Sequence, residues 1–373
     1  MNPLRYYRLR TANAVSRMRV RGHSLLPSLL LHLPRVVALR AYRVAARRMN
    51  RGRVLRRFGV RALDRMHAAQ ARPAAGGHFY VIVMPGTLHY LLPCLALLPD
   101  DLTVFLVANG AARWECGVLA RCYPRLPMCR LARMPGTSLT HGDVITALLE
   151  TNTRPFGLID HDCYVFDRAI FDAAAPGSGH CVTAVFGGTS ARTGLSYPET
   201  YWLCLDALIL RDIMARYHVD ARVYHDVPDA VRDVIVRVGF CDGVFFKDNK
   251  RFFDTLHVLL AIAVAEGYAF RFLQAIDAKS VVHLGGTSWQ TNETKELTEC
   301  YIDWRFLELC NDAEVRAQYA PRFLPFRSSA DVRAAIPMTP EAFAKAAWVD
   351  DLVARLAAAG RRTTAVTRAL EPA

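Results

Sequence analysis

At 373 residues, 52% apolar and 22% charged, the chain can bury a sizeable core and has the composition of an ordinary globular protein. Its net charge of +13 is concentrated: residues 1–77 carry 18 Arg against one acid, Asp64, while the remainder carries 29 basic and 33 acidic residues. The basic character belongs to an arm, which argues against a specific nucleic-acid partner. Ten cysteines without a CxxC pair argue against a zinc frame or disulfide scaffold and suit reduced thiols in the cytoplasm.

In chain order, the stretch to about residue 72 is Arg-rich and helix-compatible. Arg40, Arg43, Arg47 and Arg51 recur at spacings of three and four and line one face, with Val37, Ala41 and Val44 on another. A basic amphipathic helix of this kind reads as lying on an anionic membrane surface, peripheral on the inner face. A solvated arm and an organelle-type presequence are the alternatives. Residues 25–39 are apolar but broken by Pro27, His32, Pro34 and Arg35, too short a run to span a bilayer. Pro73, Gly76 and Gly77 mark a linker at 71–78.

From residue 79 the pattern becomes short apolar runs alternating with helices. Runs at 79–84, 102–108, 128–134 and 156–159 read as strands, with helices at 112–122 and 143–150 between them. Their hydrophobicity is continuous and not alternating, which fits parallel strands covered on both faces and joined by helical crossovers. In such sheets ligands bind beyond the carboxyl ends of the strands. The candidate binding residues are therefore Pro85, Gly86, Asn109, Gly110, Asp160 and Asp162. Further on, 181–186 and 280–284 read as strands, and 201–217 and 251–265 as helices. A last helix is signalled by Thr339 as cap, Pro340 at its first position and Gly360 past its end. The expected division is an arm at 1–77, a catalytic domain at 78–330 and a helical tail at 331–373.

Asp160 and Asp162 stand two apart directly after a buried run, so they point the same way if the chain stays extended there. Two like charges on one face need something positive between them. A divalent ion is the usual answer, and hard oxygen ligands suit Mn²⁺ or Mg²⁺, shared with substrate phosphates. Alternatively, Asp160 caps a turn and Asp162 is solvated.

The segment Phe-Gly-Leu-Ile-Asp-His-Asp-Cys-Tyr-Val-Phe at 156–166 resembles the DxD segment of GT-A-fold glycosyltransferases, with a family-2-like order of elements over roughly residues 79–290. The resemblance implies a GT-A-like (Rossmann-like) α/β fold, a mostly parallel sheet flanked by helices, and a nucleotide-sugar donor held at the strand ends. It implies Asp162 as metal ligand, Asp160 facing the ribose or the metal, and a late histidine, His283, as a further ligand. The Gly285-Gly286 pair beside His283 permits close backbone approach to a ligand. The acceptor is not implied.

An inverting transfer needs a base for the acceptor hydroxyl, usually a carboxylate. Asp254, near the start of the helix expected from 251, and Glu199, after Tyr197-Pro198, are the candidates. Trp202, Trp289 and Trp304 offer faces on which a sugar could stack. Two other readings compete. A nucleotidyltransferase of related fold would carry a basic residue close after the first strand, whereas none precedes Arg113. A non-catalytic membrane-associated binding protein would not need the Asp160, Asp162 and His283 set. A dinucleotide enzyme is disfavoured because no GxGxxG follows a strand.

Overall fold

The apolar runs form one sheet in the computed structural model, which describes residues 38, 41, 45, 59–69, 77–132, 138–273, 279–285, 287, 296–323, 326–337 and 339–370. The chain begins with α1 (Val60–Ala69), β1 (Phe79–Val83), α2 (Leu88–Leu95), β2 (Val104–Asn109), α3 (Arg113–Cys122), β3 (Met128–Ala132), α4 (His141–Thr151) and β4 (Phe156–Ile159). Next come β5 (Cys163–Val165), α5 (Ala169–Asp172), β6 (His180–Ala184), β7 (Gly187–Thr189), β8 (Ser196–Pro198), β9 (Trp202–Leu205) and α6 (Ala207–Tyr217). A short α7 (Arg232–Ile235) leads to α8 (His257–Ala265), β10 (Ala269–Phe272) and β11 (Val281–His283). The helices α9 (Leu297–Leu309), α10 (Ala313–Tyr319), α11 (Ser329–Ala335) and α12 (Pro340–Leu370) follow.

The main sheet has seven strands in the order β10-β6-β9-β4-β1-β2-β3. β1 runs parallel to β2 and β4, β2 to β3, and β6 to β10. β9 runs antiparallel to both of its neighbours, β4 and β6. The expected mostly parallel α/β sheet is therefore present. Strands β1, β2, β4 and β9 are buried at every position, which is why they read as unbroken apolar runs. Gly157 lets β4 lie against the ring of Phe79, where a Cβ would meet ring carbon at 2.0 Å.

The chain folds as two compact units. One contains the sheet, in the described parts of Ala46–Pro85 and Leu98–His283. The other is helical and includes Gly86–Leu97 and the described parts of Leu284–Ala373. In the helical unit the Tyr90 hydroxyl donates to the buried carboxylate of Asp303, and Asp350 accepts from Tyr301 and Arg305, each at 2.8 Å.

Several elements differ from expectation. The helix expected over 201–217 is two elements: β9, then Asp206 as N-cap of α6, its Oδ1 accepting from Leu208 and Ile209 N–H at 3.0 and 3.1 Å. A four-residue apolar run buried on both faces cannot be told from helix by periodicity. The helix expected from 251 begins at His257, because Phe253 first pairs with Tyr224 and Leu256 turns left-handed. Gly360 does not stop α12, which runs to Leu370. A helical glycine costs only about 1 kcal/mol, and among the described residues nothing packs within 4 Å of its missing Cβ. Thr339 does cap that helix, its Oγ1 accepting from Ala342 N–H at 3.3 Å. The arginines of the expected arm helix at 40–51 lie outside the described residues. No helix among the described residues is long and apolar enough to cross a membrane.

Candidate active site and metal centre

β4 ends at Ile159, and the chain then turns. The N–H of Asp160 donates to Tyr201 O at 2.9 Å, and the N–H of Cys163 closes back on Asp160 O at 3.0 Å. The expected extended Asp-x-Asp is thus a tight turn leading into β5. β5 pairs antiparallel with β11, with Cys163 opposite His283, so a residue 121 positions further along the chain arrives beside Asp162. His283 Nε2 stands 3.4 Å from Asp162 Oδ1 and 3.9 Å from Asp160 Oδ2. One donor atom from each of the three lies within 4.8 Å of the others.

These three residues fit a divalent ion. Donors about 2.1 Å from one shared ion stand about 3.0–4.2 Å apart, and the two carboxylate–imidazole separations fall in that range. The Asp162 side chain is 3% exposed, whereas Asp160 and His283 are 26% and 23% exposed, which leaves an open side for a ligand. Burial opposes charge on His283, but the hydrogen bond and negative charge of Asp162, then the charges of Asp160 and Glu199, outweigh it and raise its pKa. The ring of Tyr201 stacks on His283 at 4.0 Å and 17°, fixing its plane. Burial, reinforced by Cys163 and Glu199, raises the pKa of that tyrosine. His141, the first residue of α4, brings Nε2 to 3.8 Å from Asp160 Oδ1. Only its place just after the capping Thr140, which forms a capping box with Asp143, hinted at it in the sequence.

The two candidate bases come together at one ammonium. Lys247 Nζ is 2.7 Å from Glu199 Oε2 and 3.7 Å from Asp254 Oδ2, and it lies 5.9 Å from the centre of the Tyr197 ring. The other oxygen of Asp254 accepts from Thr255 N–H at 2.9 Å. Sequence reasoning missed Lys247, whose signal was a polar island, Lys247-Asp248-Asn249-Lys250, between two Phe-Phe-containing segments. Leu256, two residues after Asp254, is fully buried with φ 70°. A left-handed non-glycine costs on the order of 1–3 kcal/mol and marks a conformation imposed by its surroundings.

The remaining candidates are placed as follows. Pro85 follows β1, and Gly86 has φ 80°, as its turn requires. Asn109 is buried at the end of β2, where its amide accepts from Leu139 N–H at 2.8 Å and donates to Leu139 O at 3.0 Å, fastening the loop before α4. Gly110 follows with φ 88°. Trp202 is fully buried between Phe79 and Phe171, so it is a core ring and offers no face to a sugar. Trp304 is buried in the helical unit, and Trp289 lies outside the described residues.

Residues 56–210 match the family model of the StrH glycosyltransferase N-terminal domain. That stretch contains Asp160, Asp162 and Glu199 and stops before Lys247, Asp254 and His283. No curated protein matches the chain. Among solved structures it is similar to the glycosyltransferase GlyE of Streptococcus pneumoniae TIGR4, at 10% identity and TM-score 0.26 over 38% of this chain. The match spans 40% of the length of the GlyE chain. It is also similar to S. aureus TarS 1–349 in complex with UDP-GlcNAc, at 12% identity and TM-score 0.29, over 75% of this chain and 81% of that one. The family match gives this chain a glycosyltransferase domain, in agreement with the resemblance at 156–166.

Proposed function

We propose that this chain moves a sugar from a nucleotide-diphosphate donor to a hydroxyl acceptor, with Asp160, Asp162 and His283 holding Mn²⁺ or Mg²⁺ and Asp254 acting as base. The observation that carries the reading is the convergence of those three donors within 4.8 Å at the carboxyl end of β4. A strand end is where an α/β sheet presents ligands. Bound there, a divalent ion offsets the charge that builds on the departing diphosphate.

The protein groups divide the remaining work. Asp162, buried, and His283, held flat by Tyr201, are the rigid donors. Asp160 is more open and is shared between the ion and the donor ribose. Asp254 is preferred to Glu199 as base because Glu199 is tied to Lys247 at 2.7 Å, whereas Asp254 keeps Oδ2 at 3.7 Å from that ammonium. In transfer, the acceptor oxygen bonds to the anomeric carbon and its proton passes to Asp254. The bond from that carbon to the β-phosphate oxygen breaks, and a nucleoside diphosphate leaves. The 18 Arg of residues 1–77 suit an anionic membrane surface at which the acceptor is met. Salt-sensitive binding to phosphatidylserine vesicles, lost on removing residues 1–72, is expected; equal binding without them contradicts that part.

Product analysis tests the reaction. Turnover of UDP-, GDP- and dTDP-sugars with Mn²⁺ is expected to release free nucleoside diphosphate. Release of pyrophosphate instead would mean nucleotidyl transfer and would overturn the proposal.

A further inference from the structure

The turn that carries Asp254 is pinned at both ends and strained at the second of them, Leu256. Phe253 and Tyr224 exchange backbone hydrogen bonds of 2.8 and 3.0 Å, and Leu256 N–H donates to Ala221 O at 2.9 Å. Leu256 occupies the N-cap position of α8 in a left-handed conformation, where Ser, Thr, Asp, Asn or Gly is usual, and its side chain makes no capping hydrogen bond. His257, the first residue of α8, bonds back to the turn before it. The backbone N–H of Asp254 donates to His257 Nδ1 at 3.3 Å, and the N–H of His257 donates to Asp254 O at 3.1 Å. The two residues therefore close a reciprocal ring around the strained Leu256.

We infer that His257 is a positioning residue for Asp254, holding the base-bearing turn so that the Asp254 carboxylate faces Lys247. This inference rests on the reading of Asp254 as base. A side chain chosen for packing alone does not account for the position. His257 is 1% exposed, and its Nε2 is buried without a hydrogen-bond partner among the described residues, a cost that an apolar residue of similar size would avoid. Its Nδ1 accepts an N–H, so the ring is neutral with the proton on Nε2. Burial lowers its pKa, against the opposing charge of Asp254, and so favours that neutral form. Tyr197 and Phe246 pack on the ring at 5.8 and 5.1 Å, and Tyr197 also lies beside Lys247. The groups facing the carboxylate and those holding the turn are thus locked by shared neighbours. Displacement of a reacting group by about 1 Å can cost on the order of 100-fold in rate.

The test compares His257→Leu, His257→Asn, His257→Gln and Asp254→Asn in the full chain. It reads kcat and KM for UDP-, GDP- and dTDP-sugars with Mn²⁺, thermal midpoints, and amide hydrogen exchange at residues 254–257. His257→Leu is expected to lower kcat about 100-fold at unchanged donor KM and to speed exchange of the Asp254 amide. Asn places an acceptor oxygen where Nδ1 stood and should recover both; Gln does not and should not. Should the Leu variant fail to fold, the contrast between Asn and Gln decides. Wild-type kcat in His257→Leu, with Asp254→Asn inactive, overturns the inference and leaves the base standing. Full turnover in Asp254→Asn overturns the base reading. In that case, or if none of these donors is turned over, unchanged Asp254 amide protection in His257→Leu overturns the inference.

Discussion

At the scale of single residues, the site depends on a few side chains whose charge is set by where they sit, and the opposite end of β1 shows the same physics without chemistry. His78 is buried there, with Nε2 2.9 Å from Asn152 Oδ1 and 3.1 Å from the Tyr80 hydroxyl, which itself donates to Asn152 Oδ1. Burial pushes its pKa down to about 4, and burial lowers His67 in the same direction. An unfolded histidine titrates near 6.5. Between those values the unfolded chain binds more protons than the folded one, so stability is full above pH 6.5 and falls as pH drops toward 4. The fall at the foot of that window is about 3 kcal/mol for His78. Urea titrations at pH 7.5 and 4.5 should show it, and His78→Asn should flatten the slope; an unchanged slope contradicts the assignment. At the site, Asp160, Asp162 and His283 were legible because the carboxylates directly follow a continuous apolar run and the histidine ends another. Lys247 and His141 were not, since nothing local in the sequence marks either as facing a carboxylate. The carboxylates they approach most closely lie 48 positions away for Lys247 and 19 for His141.

At the scale of elements, β1, β2 and β4 could be read from the sequence because burial on both faces leaves no charged position to interrupt them, and β3 from the breaks at Pro124 and Pro127 before it although Arg130 interrupts it. β9 could not. Its four apolar residues run straight into Asp206 and α6, and only pairing with β4 and β6 tells strand from helix. The consequence is functional, because β9 follows Tyr201, whose carbonyl receives the Asp160 N–H and whose ring stacks on His283. The start of α8 was misread for a related reason: the pairing of Phe253 with Tyr224 and the left-handed Leu256 are tertiary effects with no local signature. β11 was legible as the run at 280–284, but three-residue β5 and its ladder pairing with β11 were not. That ladder is what delivers His283 to Asp162.

At the scale of the whole molecule, the chemistry-bearing residues fall in the sheet-containing unit. Asp160, Asp162, His283, Lys247, Glu199 and Asp254 all lie between Leu98 and His283. The matched family region ends at 210, so the proposed metal-ligand histidine and the proposed base are contributed by later segments of the same unit. In the proposed reaction this unit binds a nucleotide sugar through a metal held by Asp162. The most direct test of that binding is a thermal-shift series with UDP-, GDP- and dTDP-sugars, with and without Mn²⁺, on the wild-type chain and on Asp162→Ala. At least one donor should raise the wild-type midpoint when Mn²⁺ is present, through a stabilisation of about 2.7 kcal/mol at a hundred times its Kd, and Asp162→Ala should remove that gain. Stabilisation by none of the donors, or an equal gain in Asp162→Ala, would contradict it.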